Sequence, residues 1–210
     1  MPVRPDRRGG VSAAVTSPIA FGVMRVVVPD EWVEERQRLG LDGKDEMWDG
    51  VLHMVPPASS VHGRFGSDLI CALRLAAKIR GLWNLIEPGV FDPAIAGMTS
   101  YRVPDLGYAR PEDISPRGIE GRAVLVVEVL SPHDESFDKL PFYRRVGVEE
   151  VLFVDPVART CEVRRPDGDG WHLVGADHDG WTALDGLGVA LRPVDGRLQV
   201  RTDLGVEEIP

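Results

Sequence analysis

A chain of 210 residues, 43% hydrophobic and 27% charged, has the make-up of one globular domain with a substantial core. Its formal net charge of -9 counts against tight, sequence-independent binding to phosphates, unless the arginines of YRRVG and RTCEVRR line a local groove. No apolar run approaches the ~18 residues that span a bilayer, so no membrane segment is expected. Cys71 and Cys161, with no CxxC pair, argue against a disulfide framework and point to the reducing cytoplasm.

Residues 1–22, arginine-bearing but without an apolar stretch, read as a flexible N-terminal arm, and 23–210 as a single domain with its core at about 46–163. VVVPDEWVEERQRLG offers Asp30 as a helix cap and Gly40 as a stop. In DEMWDGVLHM the Asp49-Gly50 pair between apolar alternations predicts a two-residue hairpin, which sets Trp48 against Val51, Met47 against Leu52 and Glu46 against His53. Ser59 to Gly81 reads as the longest helix, with a serine at its start, glycine past its end and Phe65, Leu69, Leu73 and Ala76 on one face. LWNLIEPGVF, YRVPDLGYA, AVLVVEVL and EVLFVDP read as strands. Between the last two, DKLPFYRRVG predicts a two-turn helix with Asp138 as cap, Lys139 at the first helical position and Gly147 as a left-handed stop. A strand, a crossover helix and a strand favour a parallel pair. The C-terminal third reads as short strands, including a hairpin around Asp167 to Gly170.

In AVLVVEVL both alternating faces are apolar except at Glu128, which marks a central strand buried on both sides. An unpaired carboxylate there costs several kcal/mol or takes up a proton, so a metal, a cation or solvent at the strand end has to offset it. Asp105 follows Pro104, which interrupts its strand or places it at an edge. Two carboxylates on neighbouring strand ends make a hard-oxygen site suited to Mg²⁺ or Mn²⁺. Lys139 opposes the helix dipole by roughly 0.3–1 kcal/mol, yet it shares the inward helical face with Phe142, Tyr143 and Val146, which aims its ammonium at the end of the Glu128 strand. Taken singly, Glu128 also reads as a structural carboxylate, Asp105 as a turn residue, Lys139 as a snorkelling side chain and Glu46 with His53 as a cross-strand pair. No HExxH, GxSxG, Walker or GxGxxG pattern is present.

The stretches EMWDGVLHMVPPASSVH, YRVPDLGYARPED and VLVVEVLSPHDESFDKLPFYRRVGVEEVLFVDP resemble the Uma family (the second of that name) of restriction-endonuclease-like proteins, within the PD-(D/E)xK nuclease superfamily. The resemblance runs in order from about Val26 to Val163. It implies an α/β fold with a restriction-endonuclease-like core, a mixed central sheet flanked by helices, preceded by the N-terminal hairpin and followed by a C-terminal β extension. It also implies a metal-dependent endonuclease acting on DNA. Asp105 resembles the superfamily's first acidic residue and Glu128 its second, both metal-binding. The position two residues after Glu128, where the superfamily carries its lysine, is Leu130, and Lys139 is similar in place to a lysine migrated onto the following helix. Glu46 matches an acidic position ahead of the hairpin and is the implied third metal ligand. His62 matches a histidine at the start of the long helix, with no role assigned. A homodimer is compatible with cutting both strands, and a catalytically inactive binding module with the nuclease fold is the alternative.

Overall fold

The computed structural model describes residues 24–27, 29–40, 43–55, 57–132 and 135–210. The expected arm at 1–22 and the side chain of the expected cap Asp30 lie outside the described residues. Among the described residues three α-helices carry the architecture: α1 (Asp30–Arg38), α2 (Ser60–Ile79) and α3 (Leu140–Val146). Among the described residues none is long and apolar enough to cross a membrane.

The Asp49-Gly50 turn forms as its sequence dictates, with positive φ at both residues (49° and 90°), the twist that suits a two-residue hairpin. Glu46 pairs with His53, Met47 with Leu52 and Trp48 with Val51. This hairpin belongs to a sheet ordered Met24–Val26, Val51–Met54, Glu46–Trp48, Tyr101–Arg102, Val90–Phe91, Gly118–Glu120, Ile114–Ser115. A second, central sheet runs Gly170–Leu173, Thr160–Asp167, Val151–Asp155, Leu125–Val129, Leu106–Ala109, Trp83–Ile86. Leu125–Val129 lies in its middle, parallel to Val151–Asp155 and antiparallel to Leu106–Ala109. The predicted crossover and parallel pair are therefore present, and the sheet is mixed. The 160–174 hairpin closes with Asp167 opposite Gly170.

Two segments read as single strands are each divided between these sheets. LWNLIEPGVF supplies Trp83–Ile86 to the central sheet and Val90–Phe91 to the hairpin sheet, with Glu87 at φ 49° and Pro88 between them. YRVPDLGYA likewise breaks at Pro104 into Tyr101–Arg102 and Leu106–Ala109. A proline cannot donate to a ladder, so each break falls where the chain must leave one sheet for the other. Trp83–Ile86 is an edge strand of the central sheet, whereas Leu106–Ala109 has a partner on both sides, so Pro104 marks an interruption and not an edge.

The central strand separates two cores. On one side Leu125, Val127 and Val129 pack with Leu152 and Val154 under α2, whose Phe65, Leu69, Leu73 and Ala76 are buried as the helical spacing predicts. Ser59 caps α2 by accepting from the His62 backbone N–H. On the other side Val126 joins Phe153, Phe142, Tyr143 and Val146, so α3 covers the face that carries Glu128. The α3 prediction needs one correction. Asp138 is not its cap: it sits inside a 3-10 turn, Ser136–Lys139, and Lys139 occupies the cap position, with Leu140 the first α residue. The tighter turn arises because the Asp138 N–H reaches back to the Glu135 carbonyl, at 2.9 Å, and the Leu140 N–H to that of Phe137. Gly147 closes α3 at φ 84° as expected.

A C-terminal four-stranded antiparallel sheet, Thr182–Leu184, Val189–Val194, Arg197–Thr202, Gly205–Ile209, completes the first core with Leu191, Leu198 and Val200. Glu150, 3% exposed, ties it to the centre. Its carboxylate accepts from the backbone N–H of Asp185 (3.0 Å) and Gly186 (2.7 Å) and from Arg165 Nε (2.6 Å). A Cβ on Gly186 would stand 2.7 Å from Val124 Cγ1, so the close approach requires glycine. Removing the carboxylate leaves two part-buried N–H groups without their acceptor. Glu150→Ala is expected to lower the unfolding free energy by about 2–3 kcal/mol, with Glu150→Gln intermediate. Urea denaturation measures this, and a loss below about 0.5 kcal/mol would show that the contact does not hold the C-terminal sheet in place.

Candidate active site

Glu128 is 2% exposed and lies between two β-strand neighbours, so both of its carboxylate oxygens need partners from outside the sheet. They come from α3 and its lead-in turn. Lys139 Nζ donates to Oε2 at 3.0 Å and Tyr143 Oη donates to Oε1 at 2.6 Å. Lys139 and Tyr143 are four residues apart and so share one helical face.

Glu46 arrives from the hairpin sheet. Its Oε1 takes the same Lys139 ammonium at 2.8 Å and the Val103 N–H at 2.9 Å, while Oε2 takes Trp48 Nε1 at 2.6 Å. Trp48 in turn stacks on His53 (4.2 Å between centroids), whose Nδ1 lies 2.7 Å from Glu135 Oε2. Arg102, buried and packed against the rings of Trp48 and Phe142 at 4.2 and 4.3 Å, joins the hairpin sheet to α3, and burial brings its pKa down to about 10.

Asp105 occupies the place where the ladder between Leu125–Val129 and Leu106–Ala109 runs out. Continuing the register that pairs Val127 with Leu106 sets Val129 opposite Pro104. The Asp105 carboxylate takes the Val129 N–H instead, at 2.7 Å through Oδ2, and its Oδ1 meets His62 Nε2 at 2.8 Å. The other nitrogen of that ring, Nδ1, is 3.3 Å from Ser131 Oγ. His62 is in the first turn of α2 and thus joins the helix start to the strand end.

The structure therefore brings together all four residues singled out in the sequence, Glu46, Asp105, Glu128 and Lys139. It sets His62, left without a role in the sequence, against Asp105, and adds Tyr143. Tyr143 was legible only as a core residue, although its spacing from Lys139 signals a shared target; nothing local marks His62 as the partner of Asp105.

Two carboxylates share one lysine and a third, Asp105, lies within reach of their charges, and the electrostatics reflect that excess. Burial pushes the Glu128 carboxyl up to about 8; Lys139 pulls it down, and Asp105 and Glu46 push it further up. Burial would raise Asp105 as well, but the hydrogen bond and charge of His62 and the Val129 N–H hold it below the usual carboxylate range. Burial disfavours the charged Lys139, yet the flanking Glu128 and Glu46 outweigh it and keep the ammonium above its ordinary value. Tyr143 stays protonated and donates, raised by burial and by Glu128. Among the described residues no set of three or more His, Cys, Asp or Glu side chains is arranged to hold a metal ion. The pair Asp105 and Glu128 nevertheless suits a hard divalent cation, because Mg²⁺ binds through one or two carboxylates and keeps several waters, and a second positive charge would satisfy the carboxylate that Lys139 alone leaves partly protonated.

The basic clusters are largely taken up inside the chain. Arg145 meets Asp92 (3.2 Å) and Asp49 (3.3 Å), Arg165 meets Glu150 and Asp185 (2.9 Å), Arg164 meets Glu162, and Arg144 donates to the Gly168 carbonyl.

Comparison with known proteins agrees with this architecture. The sequence profile of the Uma2 family, described as "Putative restriction endonuclease", matches residues 30–194. A comparison with curated proteins finds no match. Among solved structures, the chain is similar to "a putative nuclease belonging to DUF820" from Anabaena variabilis, at 15% identity and a TM-score of 0.55, covering 70% of this chain and 84% of that one. At that identity the likeness is one of fold.

Two consequences for stability follow from the shared ammonium. Lys139→Met leaves Glu46 and Glu128 buried without their cation and is expected to cost about 3 kcal/mol, within the range for breaking a buried pair. The pH dependence has a definite sign. Glu128 moves from an ordinary 4.5 to about 8, so its contribution to folding is full below the ordinary value and is lost as pH rises through 8. With chelator present, the urea midpoint should fall across that window, and Glu128→Gln should flatten the fall. An identical slope in Glu128→Gln would mean that Glu128 is not the titrating group.

Proposed function

Because the chain belongs to the Uma2 family, and because its most buried strand carries a carboxylate bridged to a second one by lysine, we propose that it is a metal-dependent endonuclease hydrolysing DNA phosphodiester bonds. The observation that carries the reading is Lys139, 8% exposed and between Glu46 and Glu128, beside an Asp105 held at its strand end. A purely structural ion pair needs one carboxylate for one ammonium. Here a second carboxylate shares it and a third, Asp105, lies within reach of its charge, an excess of negative charge that a divalent cation would offset.

Asp105 and Glu128 would hold Mg²⁺ or Mn²⁺, and the bound metal would supply a Lewis acid that lowers the pKa of an attacking water and stabilises charge on the phosphoryl oxygens. The chain's own residues do the positioning. Val129 N–H and His62 fix the two oxygens of Asp105, and Tyr143 fixes one oxygen of Glu128. Glu46 came from the sequence as a possible third ligand. Its oxygens meet Val103, Trp48 and Lys139, as those of Asp105 and Glu128 meet partners of their own, so each of the three would exchange a hydrogen-bond partner for the metal, and Glu46 in addition holds the lysine. An ammonium has three donors. Two go to Glu46 and Glu128, which leaves a third for the attacking water or a non-bridging phosphate oxygen.

The acidic net charge and the internally paired arginines favour a second reading, a nuclease-fold binding module without catalysis. Metal binding separates the two. Calorimetry with Mn²⁺ should show an affinity that strengthens as pH rises through about 8, since the proton on Glu128 must leave; no heat at millimolar metal favours the module. For catalysis, supercoiled plasmid with Mg²⁺ or Mn²⁺ is the substrate. Asp105→Ala, Glu128→Ala and Lys139→Ala are each expected to reduce nicking by at least about 100-fold. Undiminished cleavage in all three would remove the assignment.

A further inference from the structure

The 3-10 turn that delivers Lys139 also carries an aromatic ring that the core does not enclose. Phe137 is 44% exposed, although it stands only two residues before the buried Lys139. Its ring stacks on that of Phe153, with centroids 4.2 Å apart and planes 19° from parallel. Phe153 is 1% exposed, so one face of the Phe137 ring is covered and the exposed area belongs chiefly to the other. The stack holds that outer face in a fixed orientation.

This ring stands beside the acidic cluster. Phe153 pairs with Glu128 across the parallel ladder and shares its face of the sheet, under α3. The two strands are one spacing apart, roughly 4.8 Å, and Phe137 lies one ring beyond Phe153. Lys139 and Phe137 thus flank the same carboxylate, one with an ammonium donor to spare and the other with an open aromatic face. A nucleotide has the matching two parts: a phosphate and, one sugar away, a flat base.

We infer that Phe137 stacks the nucleobase next to the phosphodiester held at Lys139, and that the substrate is single-stranded DNA. In a duplex both faces of each base are covered by its neighbours, so a side chain can stack on a base only where the strand is single or the base is extruded. The charge pattern points the same way. A chain of net charge -9 that pairs Arg145 and Arg165 internally is poorly equipped to hold a duplex by its phosphates. Stacking is uncharged, and a single strand is the less dense polyanion.

The inference rests on the nuclease reading for its substrate, so affinity is measured apart from turnover. Fluorescence anisotropy compares a thymidine oligonucleotide, an abasic strand of the same length and a duplex, with Ca²⁺ in place of Mg²⁺ and each strand checked for integrity afterwards. The thymidine strand is expected to bind at least about 10-fold more tightly than either of the others, the size of one base–aromatic stack. Phe137→Leu keeps Phe153 covered, and a thermal melt confirms that its fold is kept. It should weaken thymidine binding roughly 10-fold and leave the abasic strand unchanged, and Phe137→Trp should restore the affinity. Equal affinity for thymidine and abasic strands, an unchanged constant in Phe137→Leu, or no single-strand binding into the high micromolar range would each overturn the inference. Binding that needs both base and ring, with no cleavage in Mg²⁺ or Mn²⁺, would remove the nuclease reading and keep the stack. Cleavage that takes duplex and single strand alike and ignores Phe137→Leu would remove the stack and keep the nuclease.

Discussion

The buried carboxylate of Glu128 is the constraint around which the molecule is organised. A charge in the middle of a central strand cannot be satisfied by the sheet that contains it, because the ladder uses backbone groups alone. The partners therefore have to come from above the sheet, and the crossover that follows the strand delivers them. The 3-10 turn brings Lys139 to the cap position of α3, and the helical repeat puts Tyr143 one turn further on, over the same carboxylate. Lys139 in turn holds Glu46, which anchors the hairpin sheet to the central one. One ammonium thus joins two sheets and a helix.

Local patterns in the sequence were enough to read the elements that position this site. The hairpin register followed from Asp49-Gly50, the buried face of α2 from Phe65, Leu69, Leu73 and Ala76, and the parallel pair from the short helix between two apolar strands. What escaped local reading depends on contacts distant along the chain. Pro88 and Pro104 interrupt their strands visibly, but only the three-dimensional arrangement shows that each interruption is a passage between sheets. His62 meets Asp105 across 43 positions and Val103 meets Glu46 across 57, separations over which periodicity carries no information. The start of α3 shifted by one residue because the Asp138 and Leu140 N–H groups close a 3-10 turn on the Glu135 and Phe137 carbonyls, which takes Asp138 into that turn.

The charge pattern shows a division of labour. Most arginines that a sequence reader would offer to a phosphate backbone face the chain's own carboxylates, as Arg145 does with Asp49 and Asp92. An acidic protein that spends its arginines internally has little general attraction for polyanions. Any nucleic acid engaged here would depend on short-range contacts at the strand ends and on ions brought from solution, which makes recognition local and salt-tolerant rather than diffuse.

The order in which the chain closes its contacts gives the Lys139 pairing a further significance. Lys139 lies 11 residues and Tyr143 15 residues from Glu128, whereas Glu46 meets Val103 across 57 residues and Lys139 across a longer stretch still. The entropy of loop closure grows with the logarithm of that separation, so the strand–turn–helix unit can neutralise its carboxylate before the hairpin has docked. A nascent chain that exposes its most apolar strand is at greatest hazard of aggregating in the interval before partners arrive. Placing the counter-ion on the very next helix shortens that interval, and the crossover thereby serves as a safeguard during folding as well as a scaffold afterwards.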